Sequence, residues 1–412
     1  MVPEGWRRRL FGEFCTQFKR LNLAGEDLPP LSVTKNNGIV LQSDKFKKRI
    51  AIKDTQKYKK ISGGEFAYDP MSLYYGAIGR YQLSREGLLS PAYITFSIDD
   101  TVSPEFFWAL VKSRPIHREI NFRTEGGNID GKRKKTDWQA FSSIEVPFPP
   151  LPEQKKIAAI LGSVDEAIQA TQAVIDQTRK VKQGLLQQLL TRGIGHTRFK
   201  QTEIGEIPEG WEVVLLDSVA KRGTGHTPTK KHPEYWYGGI KWVSLQDSKV
   251  LDRLYIYETA AEISQEGINN SSAVLHPEGT VVLSRDAGVG KSAITADEMA
   301  VSQHFIAWVC GPQLNNHFLY YWLQYLKPTF ERIAIGSTIK TIGMPYFKSM
   351  KVPVPPRDEQ DRIQEILVEF DRRIFDGEHE AHRLKVVKKG LMQDLLTGRV
   401  RVGEAEGVKA AV

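Results

Sequence analysis

Apolar and small residues recur at alternating steps of four and three along Ile157, Leu161, Val164, Ile168, Thr171, Ile175 and Thr178. The rhythm returns 206 positions later at Ile363, Leu367, Phe370, Ile374, Gly377, Ala381 and Leu384. This spacing is the a/d seam of a heptad and predicts two long helices that each need a partner. Leu185 and Leu189 prolong the first seam; Leu391 and Leu395 prolong the second. From Pro152 to Thr191 the helix has about 40 residues, roughly 60 Å at 1.5 Å per residue.

Each helix has a defined start and stop. VPFPPLPEQKKIAAIL begins at Val146 and VPVPPRDEQDRIQEIL at Val352. Pro149 and Pro150 hold the preceding chain extended, and Pro152 suits a first helical turn, where its missing N–H costs nothing. Glu153, and Asp358 with Glu359, suit the positive end of a helix dipole. Gly193 and Gly398 are candidate stops.

The repeat extends through the chain. VPEGWRRRLFGEF at 2–14 answers IPEGWEVVLLDSV at 207–219, and VKQGLLQQLLT at 181–191 answers VKKGLMQDLLT at 387–397. The order is block, helix, block, helix, a period suited to a duplicated domain pair. The expected division is a first domain at 1–148, a spacer helix at 149–195, a second domain at 196–354, a second spacer at 355–400 and a tail at 401–412. LLSPAYITFSI at 88–98 and AVSQHFIAWVC at 300–310 each read as a buried strand. PEFFWALVKS at 104–113 and NHFLYYWLQYLK at 316–327 read as aromatic helices. The blocks are therefore mixed α+β domains within an α/β chain. Connectivity favours the second helix running back antiparallel along the first, with the blocks at opposite ends of a rigid spacer. Two helices each packed on its own block are the alternative.

Composition adds little. Of 412 residues 41% are hydrophobic and 26% charged, as in an ordinary globular protein. No apolar run reaches membrane-spanning length. Cys15 and Cys310 make neither a disulfide framework nor a metal cluster, so a cytoplasmic protein is expected. The net charge of +8 is compatible with an anionic partner such as nucleic acid, and with none.

The paired P-x-P-P-x-x-E-Q entries at 147–154 and 353–360, the K-x-G-L-x-Q-x-L-L-T helix ends and the P-E-G-W openings at Pro3 and Pro208 together resemble the specificity subunit of type I restriction–modification systems. The resemblance covers essentially the whole chain. It implies two target-recognition domains, each reading half of a bipartite, asymmetric site in double-stranded DNA. It also implies helices that set the half-site spacing and dock modification (methyltransferase) subunits, with a restriction subunit as a further partner. No cofactor is expected on this chain; S-adenosylmethionine, Mg and ATP are expected on its partners. One departure stands out. The first copy lacks a counterpart of HTRFKQTEIGEI at 196–207, so its N-terminal edge needs completion by the C-terminal tail or a neighbour.

Candidate DNA contacts lie in the basic runs. In the first block they are Lys59, Lys60, Lys132, Arg133, Lys134 and Lys135, with KFKKR at 45–49; in the second, Lys230, Lys231, Arg285, Lys291 and Lys340. Lysines and arginines there would neutralise phosphates; a solvated surface is the plain alternative. Lys340 falls at the position of Lys134 plus 206, just before the helix entry. SRDAGVGKSA at 284–293 is not a nucleotide-binding loop, because Arg285 stands where glycine is required. Trp236, Tyr237 and Trp242 could touch bases or fill a core. No catalytic pairing, metal-ligand spacing or methyltransferase signature is visible, so a non-catalytic subunit is expected. A coiled-coil interaction scaffold that binds no DNA is the rival reading.

Overall fold

The computed structural model describes residues 2–35, 37–45, 55–124 and 135–402. The chain divides into two compact units, one formed by Met1–Thr171 with Glu380–Val412 and the other by Gln172–His379. The division falls inside the long helices, Leu151–Arg192 and Arg357–Leu395, rather than at their ends.

In the first unit a four-stranded antiparallel sheet runs in the order Cys15–Phe18, Ile94–Ile98, Phe66–Tyr68, Ile78–Arg80. The segment read as one strand at 88–98 is two, Gly87–Leu89 and Ile94–Ile98. A turn closed by Tyr93 N–H to the Ser90 carbonyl separates them and sends each to a different partner. The aromatic helix forms where expected, at Pro104–Val111. Proline sits in its first turn, and the Ser103 hydroxyl accepts from the Phe106 N–H. It buries Phe106, Phe107, Leu110 and Val111. The Phe107 ring meets Phe66 at 5.2 Å, Phe11 at 5.5 Å and Phe14 at 5.9 Å, all edge to face.

The second unit is larger in its sheets. Five strands run in the order Ala220–Thr224, Phe305–Cys310, Val281–Ser284, Ser292–Thr295, Tyr255–Ile256. Four more run Glu262–Ile263, Trp236–Val243, Met299–Val301, Leu275–His276. The segment at 300–310 also divides, into Met299–Val301 and Phe305–Cys310, at a turn where Phe305 N–H reaches the Ser302 carbonyl. The aromatic helix extends over Asn316–Ile333 and buries seven of its side chains, among them Tyr320, Tyr321 and Trp322.

Although the sheets differ, the frame repeats. In the first unit Arg7–Leu10 pairs antiparallel with Glu145–Phe148, in register Arg7 to Phe148. In the second, Glu212–Leu215 pairs with Lys351–Val354, in register Glu212 to Val354. Each block is thus clamped where it opens and where it hands over to its helix.

Within each unit the two helices run antiparallel along the expected seam. Ile157, Leu161, Ile175, Leu189, Ile363, Leu367, Ala381 and Leu395 are buried. Val164, Ile168, Leu185, Phe370, Ile374, Leu384 and Leu391 are half-buried. The next seam position in each helix is a lysine. Lys182 pairs with Asp371 in the second unit, and Lys388 with Asp165 in the first. Both partners are related by the 206-residue repeat. Opposite charges at the seam specify which residues face each other, at a cost in apolar burial. At Gly377 an added Cβ would lie 2.8 Å from Ile175 Cγ1, so only glycine lets the helices approach there. The helices stop at Gly193 and Gly398, with φ of +62° and +70°.

Candidate nucleic-acid interface

The Glu–Gln pair of each helix entry is the hub on which its block is mounted. Glu153 accepts from the Trp6 indole N–H at 2.9 Å and from the Arg401 guanidinium at 2.8 and 2.9 Å. Glu359 accepts from the Trp211 indole and the Ile194 backbone N–H, each at 2.9 Å, and faces His196 Nε2 at 2.9 Å. Sequence reasoning saw only a dipole role for these acids. Burial works against the ionised form of Glu153, but the hydrogen bonds from Arg401 and Trp6 outweigh it and hold its carboxyl below the usual range. Arg401 also donates to the Glu4 carbonyl. The tail after the second helix therefore occupies, in the first unit, the place that His196 and its neighbours take in the second.

The glutamines tie the entry to the aromatic helix. Gln154 accepts from Ser103 N–H at 2.9 Å and donates to the Thr101 and Pro149 carbonyls. Gln360 repeats this with Asn315 N–H at 2.8 Å and the carbonyls of Gln313 and Pro355. A side-chain amide can accept and donate at once, which neither an acid nor a hydroxyl at that distance would reproduce. The P-E-G-W and P-x-P-P-x-x-E-Q motifs thus fix the frame.

On the second block two basic loops far apart in sequence are joined. Asp286 is the centre. It accepts from Thr341 Oγ1 and pairs with His304 Nδ1 at 2.8 Å. The Ala287 N–H donates to the Lys340 carbonyl at 3.1 Å, and Ile342 N–H to the Arg285 carbonyl at 3.0 Å. Arg285 is half-buried, with Nε 3.7 Å from Asp286, and Lys340 is exposed beside it in the chain fold. Gln303 extends the same surface by accepting from Thr227 Oγ1 at 2.6 Å. Next to it lies a cleft of about 520 Å³ lined by Lys230, Trp236, Tyr237, Trp242 and His304. Trp242 is core: it is buried and its indole N–H donates to the His226 carbonyl. Tyr237 is the opposite, 88% exposed and held at φ +58°. Lys230 and Lys231 are exposed. Lys291 turns inward, its ammonium on the Ser248 carbonyl at 2.6 Å, and is not poised for an outside anion.

In the first block the candidates separate. Lys59 is buried with its ammonium on the Tyr93 carbonyl, and burial, then Lys19, lowers its pKa. Lys60 sits between Glu26 at 2.6 Å and Glu86 at 3.4 Å. Both would have to leave these partners to meet a phosphate. Lys135 is exposed. Lys132, Arg133, Lys134 and the 45–49 run lie outside the described residues, apart from the helical backbone of Lys45. Asp286, Gln303 and Thr341 were not legible as site residues, because their meaning comes from a contact between loops 55 positions apart, Asp286 to Thr341.

Residues 44–178 and 208–387 match the family described as type I restriction modification DNA specificity domain. The chain is 29% identical over 420 residues to the type I restriction enzyme MjaVIII specificity subunit of Methanocaldococcus jannaschii, covering 97% of this chain and 94% of that protein. It is 30% identical over 413 residues to the putative MjaX specificity subunit of the same organism, covering 97% and 95%. A chain solved in work on complex assembly and conformational transition of the type I R-M system shares the fold. The TM-score is 0.61 at 18% identity, over 97% of this chain and 100% of that one.

Proposed function

The chain belongs to the type I restriction–modification DNA specificity family, and from that premise we propose how its two units divide the work. Each block reads one half of a bipartite, asymmetric site in duplex DNA. The observation that carries this is the contrast between frame and surface. The Trp–Glu hub and the strand clamps recur at a 205- or 206-residue offset, and the entry glutamines at 206 with the helix caps they bind at 212, while the sheets they carry differ in strand number and order. Two unlike surfaces on like mounts suit two unlike half-sites.

On the second block the reading surface is the joined pair of loops around Asp286, with Arg285, Lys340, Lys230 and Lys231 toward phosphates and Gln303, His304 and Tyr237 toward base edges. The long helices set the half-site spacing and receive the modification subunits. Methyl transfer from S-adenosylmethionine and ATP-driven steps with Mg reside on the modification and restriction subunits, and this chain is non-catalytic. It works in the cytoplasm, with the DNA.

The test is binding of the chain, assembled with its modification subunits, to a duplex carrying the site found by methylome sequencing. Lys340→Ala should weaken binding to all sequences alike and reduce the slope of log K against log salt by about one. Gln303→Ala should instead relax discrimination in one half-site only. Binding that is absent, or indifferent to salt, would leave the interaction-scaffold reading standing.

A further inference from the structure

The two helix pairs are not equally filled. In the second unit Tyr321 closes the space between the aromatic helix and the helix pair. It is fully buried, and its hydroxyl donates to Asp371 Oδ2 at 2.7 Å. The Lys182 ammonium lies 5.3 Å from its ring centre and binds the other oxygen of Asp371. The equivalent positions in the first unit follow from the frame. Ser103 and Asn315 both cap their helices and both give their N–H to the entry glutamine. Counting from those caps, Tyr321 corresponds to Ala109; along the long helices Asp371 corresponds to Asp165, Lys182 to Lys388 and Val368 to Gly162.

The first unit therefore has alanine and glycine where the second has tyrosine and valine. A cavity of about 220 Å³, partly open, lies there, lined by Ala109, Leu161 and Gly162 with the Asp165–Lys388 pair, and also by Trp108 and the charged Arg80, Glu105 and Lys112. An added Cβ at Gly162 would meet nothing within 4 Å. Lys388 holds both oxygens of Asp165, at 2.6 and 2.7 Å, and the Asp165 side chain is 47% exposed against 23% for Asp371. A cavity of about 150 Å³ is enough to hold benzene.

We propose that this cavity is a binding site for a para-hydroxyphenyl group. Tyr321 is its template. A phenol seated there would lay its ring along the apolar wall of Leu161 beside Trp108, whose own ring already carries the Lys112 ammonium at 4.6 Å, place the Lys388 ammonium against its π-face and donate its hydroxyl to Asp165, so that the carboxylate regains the two-donor arrangement of Asp371. The group arrives either as a free phenol or as the side chain of a tyrosine on a docked subunit. The inference rests on the internal repeat and not on the DNA-reading proposal.

p-Cresol is the probe, titrated into the full chain and followed by calorimetry and ligand-observed NMR. One molecule should bind per chain, because the second unit's equivalent site is already filled by its own tyrosine. Toluene, which has the ring without the donor, should bind roughly tenfold more weakly. Ala109→Tyr introduces the second unit's own ring and should abolish binding; if that variant misfolds, Asp165→Ala, which removes the acceptor, should reduce p-cresol to the affinity of toluene. Repeating the titration with modification subunits bound separates the sources: blocked p-cresol assigns the site to a partner tyrosine, unchanged affinity to a free phenol. No saturable binding, equal affinity for toluene, or full binding by a folded Ala109→Tyr chain would overturn the proposal.

Discussion

Glu359→Ala tests whether the hub holds the second block on its helices. The substitution strips the acceptor from three donors at once: the Trp211 indole, the Ile194 amide and His196. Trp211 is fully buried and Ile194 half-buried, so neither N–H gains full access to water. Each such orphan costs about 1–3 kcal/mol, giving about 2–5 kcal/mol in all once the partial exposure of Ile194 is allowed for. His196 is 29% exposed and can turn to solvent, so it adds little. The loss is a large part of the ~5–15 kcal/mol that holds a domain folded. Gly193 sharpens the argument. Its φ is +62°, and a Cβ there would collide with the Glu359 carboxylate and the Trp211 ring, so the turn is packed closely against this contact. The assay is hydrogen exchange of the Ile194 amide and the Trp211 indole alongside denaturant unfolding of the full chain. Glu359→Ala should accelerate both exchanges by more than tenfold and lower the second unit's midpoint. Glu359→Gln should fall between, because one oxygen still accepts while its amide faces other donors. Wild-type protection and midpoint in the alanine variant would refute the hub.

The first unit's hub should respond to acid. Hydrogen bonds to Arg401 and Trp6 hold the Glu153 carboxyl below its usual value, so its stabilisation is complete above about pH 4.3 and is lost as pH falls through the lower folded value; Glu153→Gln should remove that part of the acid dependence, read as Trp6 exchange against pH. Deleting residues 166–172 and 372–378 together shortens both helices by one heptad yet keeps Lys388 opposite Asp165 and Lys182 opposite Asp371. Seven residues at 1.5 Å are roughly 10 Å, about three base pairs at 3.4 Å, so methylome sequencing should find the same half-sites with a gap shorter by up to three; an unchanged gap would separate the helices from spacing.

The sequence displayed the frame because the frame obeys local rules. Heptad spacing marked Ile157 through Leu391, and proline and glycine marked the helix ends, since each depends only on neighbours along the chain. The candidate contacts were less visible. A lysine reads as a surface cation wherever it stands, but Lys59 spends its charge on a buried carbonyl and Lys60 on two glutamates brought in by folding. Arg285 and Lys340 become one surface only through Asp286 and Thr341. The single-strand reading of 88–98 and 300–310 failed at turns opened by a serine, Ser90 followed by Pro91 and Ser302 followed by Gln303, inside otherwise apolar runs.

The bond between Arg401 and Glu153 also sets a timetable. Residues of the second unit are contiguous, so it has all its parts once His379 has been synthesised. The first unit leaves the ribosome earlier but needs Leu395, Leu396 and Arg401 to cover Trp6 and Glu153. At about 5–20 residues per second, its wait from Thr171 to that tail is on the order of ten to fifty seconds. Through that interval the nascent first block lacks Leu395 and Leu396 from its core, and the second unit is the first to have all its residues. A chain started instead at Gln172, with the original ends joined, would make the first unit contiguous and shorten the period in which a chaperone has something to hold.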